Sequence, residues 1–137
     1  MKSVYLAAAF HRKEEMKELS LLIKNIGVKV TSRWLDEDDA PEGPIKLKRF
    51  LRNTAQMDAD DVKAADTFIR FSDDLSTTTV PSSWCSCSRM EETGFAHAWG
   101  KHIIIVGGIQ SLFDRFPQRV HVKDKHELLN YIRKGMQ

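Results

Sequence analysis

The sequence predicts an α/β fold: a doubly wound, flavodoxin- or Rossmann-like sheet of about five mainly parallel strands flanked by helices. Three observations predict it. Short β-rich apolar runs recur at residues 4–8, 28–34, 67–71, 102–106 and 120–122. Stretches of helical periodicity separate most of them. No internal repeat or linker divides the 137 residues, so residues 1–137 are expected to form a single domain.

Taken in order, Val4-Tyr5-Leu6-Ala7-Ala8 reads as a first strand, apolar on both faces. Met16, Leu19, Leu22, Ile23 and Ile26 then line up as the stripe of a first helix, with Lys13, Glu14, Glu15, Lys17 and Glu18 on its wet side. Gly27 ends that helix. Residues 28–34 alternate as a second strand, and Pro41, Gly43 and Pro44 mark residues 36–44 as a loop. A second helix is expected from about Ile45 to Ala64, burying Leu47, Phe50, Leu51 and Val62, before a third strand at residues 67–71. Residues 72–88 are rich in Ser, Thr and Asp and read as a long loop.

A helix over residues 90–99 follows, then a strand at residues 102–106, a Gly107-Gly108 turn and a brief helical turn before Pro117. Residues 120–122 make a last strand. Lys125 to Lys134 close the chain as a helix carrying Leu128, Leu129 and Ile132. In such a fold ligands bind beside the carboxyl ends of the strands. The loops at that edge are residues 8–12, 36–44, 72–88 and 107–111.

Composition narrows the function. Hydrophobic content of 42% and charge of 29% are those of a globular protein. A net charge of +2, dispersed along the chain, argues against a nucleic-acid polymer as partner, while a mononucleotide is easily accommodated. The longest apolar run is about five residues against the ~20 of a membrane span, so no membrane partner is expected. The first ten residues read as a strand, not a signal peptide, which makes the cytoplasm the expected location. Cys85 and Cys87 lack further ligands at metal-site spacing and are too close for an unstrained disulfide. They read as loop thiols, and neither a metal nor a cofactor is expected. The dinucleotide fingerprint G-x-G-x-x-G is absent after the first strand.

The most informative segment runs from Ser88 to Lys101. With the helix starting near Met90, Glu91 and Glu92 fall in its first turn, where the helix dipole favours an ionised carboxylate. An anionic oxygen at the crevice can accept hydrogen bonds or attack an electrophilic carbon.

Four pieces together resemble the nucleoside 2-deoxyribosyltransferase family and its relatives, the nucleotide N-glycosidases (2′-deoxynucleoside 5′-phosphate N-hydrolase-like). Val4-Tyr5-Leu6-Ala7 resembles the family's opening strand with its Tyr. Asp58, eight residues before Asp66-Thr67-Phe68-Ile69, resembles the helix Asp and the Ala-Asp that opens the third strand. Glu92, Gly94, Ala96, Gly100 and Lys101 resemble the block Glu-x-Gly-x-Ala-x-x-x-Gly-Lys. Residues 28–35 resemble a subset of members.

The resemblance implies cleavage of the N-glycosidic bond of a (deoxy)nucleoside or nucleoside 5′-monophosphate. Glu92 would be the nucleophile that forms a covalent sugar ester, with Asp58 assisting departure of the base and Tyr5 in the site. Water or a second base would then take the sugar, making the chain an N-hydrolase or a deoxyribosyltransferase. Ser86 stands where the glycosidase branch contacts phosphate. Ala9 stands where phosphate-specific relatives carry a hydroxyl residue, with Phe10, His11 and Arg12 after it; Arg12, Lys13, Ser86, Ser88 or Arg89 could supply anion contacts instead. Gly94 completes the expected binding set. Relatives build their sites from two subunits, so a homodimer or higher homo-oligomer is implied.

Each residue also has a plainer reading. Glu92 could merely stabilise a helix terminus, Asp58 could be one of several solvated acids beside Asp60 and Asp61, and Tyr5 could be core. Asp66 reads as closing the strand entry, and His97 as packed. Trp34 and Trp84 could stack on a base or belong to the core, and Phe113, Phe116 and Trp84 are candidates for an interface. The alternative function is a nucleotide-binding sensor on the same fold that no longer turns its ligand over; a weaker one is a flavodoxin-like interaction domain with no small ligand.

Overall fold

The computed structural model describes residues 1–73 and 82–137, without the side chains of residues 82–86. Five strands, β1 (Ser3–Ala7), β2 (Lys29–Val30), β3 (Thr67–Phe71), β4 (His102–Val106) and β5 (Val120–Val122), form one sheet in the order β2-β1-β3-β4-β5. Every pairing is parallel. From β1 the chain winds first to β2 and then back past β1 to β3. Their carboxyl ends therefore flank the point where the winding direction reverses, the place where this architecture opens a crevice.

Helices α1 (Lys13–Asn25) and α4 (Lys125–Gly135) pack on each other, as do α2 (Pro44–Ala64) and α3 (Ser82–Ala98). The core between sheet and helices is aliphatic, with Val4, Leu6, Ile69, Ile104 and Leu128 fully buried. At the opposite, amino edge, Asp66 closes the strand entry as its sequence position suggests: its carboxylate accepts from Lys2 N at 2.7 Å, Ser3 N at 3.2 Å and Thr67 Oγ1 at 2.8 Å. No helix among the described residues is long and apolar enough to cross a membrane.

Several local expectations need correction. β2 covers two residues, not seven, because side chains take over the ladder. Leu6 N donates to Ser32 Oγ at 2.6 Å and Trp34 Nε1 donates to Leu6 O at 2.8 Å, so residues 33–36 can turn as a 3₁₀ segment without orphaning β1. Leu22 is 48% exposed, being six positions and so about 120° round the helix from Met16. Leu51 is also exposed, while Met16, Leu19 and Ile23 form the buried stripe of α1. The largest difference is α3. It starts at Ser82, eight residues before the expected position, so Cys87 and Ser88 lie on a helix rather than in a loop. The side chains of Trp84, Cys85 and Ser86 lie outside the described residues.

Candidate active site

Tyr5 occupies the middle of β1, paired with Phe68 of β3 and stacked on its ring at 5.7 Å between centroids. Its hydroxyl donates to Glu92 Oε2. Glu92 is therefore not a first-turn carboxylate steadied by a helix dipole. It stands in the third turn of α3, half-buried against the carboxyl half of the sheet. Burial raises its pKa from 4.5 to about 7, against the Tyr5 hydrogen bond and the nearby Arg89 charge, which both lower it. Tyr5 in turn is pushed well above its ordinary range, by burial first and by the Glu92 charge second. The phenol thus stays a donor.

Asp58 reaches the same cavity from the last turns of α2. Its pKa is raised from 3.8 to about 7, by burial and then by the charges of Glu92 and Glu37. Its Oδ1 is buried with no hydrogen-bond partner among the described residues. An orphaned buried carboxyl oxygen costs the fold free energy unless a ligand answers it. Its neighbour Asp61 has another job: it is buried, and it accepts from Arg33 N at 2.9 Å and from Arg33 Nε at 2.8 Å.

These groups line a cavity of about 490 Å³, of the size that takes a small organic ligand. Ala9, Phe10, His11, Ser88 and Arg89 also line it. Arg89 lies 4% exposed, donating to Phe71 O at 2.8 Å and to Asp73 Oδ2 at 2.6 Å. Its guanidinium is committed to the protein, as a positive charge behind Glu92 rather than a free anion contact. Arg12 and Gly94 do not line the cavity. Arg12 binds Glu15 at 2.8 Å and the Ser72 carbonyl at 3.3 Å. The side chain of Ser86 lies outside the described residues.

The cavity also gathers Glu37, Asp38 and Ala40, from a loop expected at this edge but with no residue singled out, and Phe50, Leu51 and Thr54 of α2, which sequence reasoning missed. Trp34, weighed there as a stacking residue or as core, joins them; it is buried, with Phe10 at 6.4 Å, and the two form an aromatic wall. A signal did exist. Phe50, Thr54 and Asp58 fall at i, i+4 and i+8 on α2, a single face of the helix.

In chemical terms the site offers two carboxyls that titrate near neutrality, one held by a phenol, beside an aromatic wall. That pair can supply a nucleophile and an acid at once.

No protein-family model matches the sequence, and no characterised protein matches it by sequence. Solved structures do match. The CMP N-glycosidase BcmB of Clostridium botulinum superposes with a TM-score of 0.61 at 21% identity, over 96% of this chain and 98% of that one. The 2-deoxyribosyltransferase of Bacillus psychrosaccharolyticus superposes with a TM-score of 0.66 at 20% identity, over 98% of this chain and 95% of that one. Along almost its whole length, this chain has the fold of that N-glycosidase and that 2-deoxyribosyltransferase.

Proposed function

We propose that the chain is a member of the nucleoside 2-deoxyribosyltransferase and nucleotide N-glycosidase group, and that it cleaves the N-glycosidic bond of a nucleoside or nucleoside 5′-monophosphate. The observation that carries this reading is the meeting of Glu92, Tyr5 and Asp58 at one cavity from three separate elements. The resemblance in sequence assigns the same three residues, and the fold likeness to an N-glycosidase and a deoxyribosyltransferase supports it.

In the proposed reaction a Glu92 carboxylate oxygen attacks C1′ of the sugar. The C1′–N bond breaks, its electron pair leaves on the base nitrogen, and the proton held by Asp58 goes to the base. The product is a sugar ester of Glu92. Water, or the nitrogen of a second base, then attacks C1′, loses its proton to Asp58, and releases the Glu92 carboxylate. This is the two-carboxylate logic of a retaining glycosidase. Tyr5 holds the attacking carboxylate by one oxygen and leaves the other to react. Burial keeps Asp58 protonated near neutrality, where an exposed aspartate would have no proton to give.

A cavity of this size disfavours an interaction domain without a small ligand. A silent nucleotide sensor differs from an enzyme only in turnover. The test is to incubate the protein with deoxynucleosides and deoxynucleoside 5′-monophosphates, with and without a second free base, and to follow free base by chromatography. Base release that Glu92→Ala abolishes supports the reading. Stabilisation by nucleotide without product supports the sensor, and full activity in Glu92→Ala refutes the assignment of the nucleophile.

A further inference from the structure

In the lining of the cavity the structure fixes an acceptor that the proposed bond cleavage does not use. Glu37 sits just after the 3₁₀ turn at Arg33–Asp36. Its backbone N–H donates to Trp34 O at 3.3 Å, its carbonyl accepts from Lys13 Nζ, and its Oε1 accepts from Thr54 Oγ1 at 3.0 Å. Lys13 also lies over the Phe10 ring at 5.4 Å, tying this loop to the aromatic wall. Backbone and side chain of a loop carboxylate are thus held before any ligand arrives. Among the described residues none donates to Glu37 Oε2.

The position of Thr54 sets the scale. It precedes Asp58 by four residues on one face of α2, a separation of about one helical turn, or ~5.4 Å along the axis. With the sugar carbon at Glu92 and the glycosidic nitrogen at Asp58, the far edge of a nucleobase reaches the level of Thr54 and its partner Glu37. Trp34, Phe10 and Phe50 flank that path. A carboxylate only accepts hydrogen bonds. An exocyclic amino group there donates to it, whereas a carbonyl oxygen faces its charge and leaves both acceptors unpaired.

We infer that Glu37 is the specificity-determining residue for the base, and that it selects nucleosides whose base presents an exocyclic amino group over keto counterparts that lack one. This rests on the function proposed above and deepens it. The experiment compares kcat/KM for base release within two pairs, deoxyadenosine against deoxyinosine and deoxycytidine against deoxyuridine, in the wild type, Glu37→Gln and Thr54→Val. A glutamine offers a donor as well as an acceptor at the same place.

The wild type should prefer the amino member of at least one pair by about tenfold or more. Glu37→Gln should cut that ratio by a similar factor, chiefly by raising the keto partner's kcat/KM, because the amide carries no charge and can donate to a carbonyl oxygen, and Thr54→Val should lower the ratio less. A wild-type ratio of one or below in both pairs overturns the inference, as does a ratio that Glu37→Gln leaves intact. Should Glu37→Gln fail to fold, Thr54→Val decides, and a ratio it leaves intact overturns the inference. Base release without discrimination refutes Glu37 only; no release from any nucleoside refutes the function of the site, and the inference falls with it.

Discussion

Replacing Glu92 by glutamine should make the protein more stable at alkaline pH while abolishing its activity. Glu92 carries a folded-state pKa of about 7 against 4.5 for the free side chain. The folded state therefore holds the proton more tightly than the unfolded state. Its contribution is fully present below pH 4.5 and is lost as the pH rises through 7. By pH 8 the buried carboxylate costs the fold about 3 kcal/mol relative to a group that cannot ionise.

Glutamine has the same shape, can still accept from the Tyr5 hydroxyl, and never charges. The assay is thermal unfolding of both proteins at pH 5 and pH 8. At pH 5 most of that cost is absent in the wild type, so the two melting temperatures should lie within a few degrees. At pH 8 Glu92→Gln should melt higher by roughly 9 °C, since 1 kcal/mol moves Tm by about 3 °C in a chain of this size. A gain that is the same at both pH values, or a loss at pH 8, would refute burial as the source of the shifted titration.

Tyr5→Phe removes the hydrogen bond that lowers the Glu92 pKa, so the acidic limb of kcat/KM should move to higher pH. A hydrogen bond to a charged group is worth about 1.5–3 kcal/mol, so turnover at pH 7 should fall roughly 10- to 100-fold; circular dichroism checks that the fold is kept. With Glu92 required ionised and Asp58 required protonated, and both raised to about 7, kcat/KM against pH should be bell-shaped with its maximum near neutrality. Asp114→Ala should destabilise by about 3–5 kcal/mol in urea unfolding, because it strands the buried guanidinium groups of Arg70 and Arg119. Gly107→Ala should cost about 1–2 kcal/mol by the same measurement. Gly107 has a φ of +100°, and a Cβ there would lie 3.2 Å from the Ser72 Cβ.

The sheet was legible in the sequence because its strands are short, apolar and separated by turn residues, a local pattern that burial on both faces imposes. Glu92, Tyr5 and Asp58 were picked out by the family-like spacing of their neighbours, and the fold brings all three to one cavity. What the sequence hid was set by tertiary contacts. The start of α3 was missed because Ser, Cys and Trp carry little helix signal in residues 82–88. That error carried a physical one with it: Glu92 was assigned a titration governed by the helix dipole, when burial governs it.

Arg70 reads as an outlier in an apolar strand and becomes intelligible only with Asp114, forty-four residues on, as its buried partner. Arg12 and Arg89 were candidates for anion contacts and are both committed to carboxylates of the protein, Glu15 and Asp73. Glu37 lay inside an acidic loop expected at the ligand-binding edge, and only its contact with Thr54 on α2 sets it apart from its neighbours.

The nucleophile can be identified directly by trapping. Incubation with a deoxynucleoside bearing fluorine at C2′, which slows ester breakdown, followed by proteolysis and tandem mass spectrometry, locates the sugar on the chain. The reaction described here places one sugar, less its base, on the peptide bearing Glu92, with no adduct in Glu92→Gln. A sugar found on any other side chain, or base released with no adduct at any time, would contradict it.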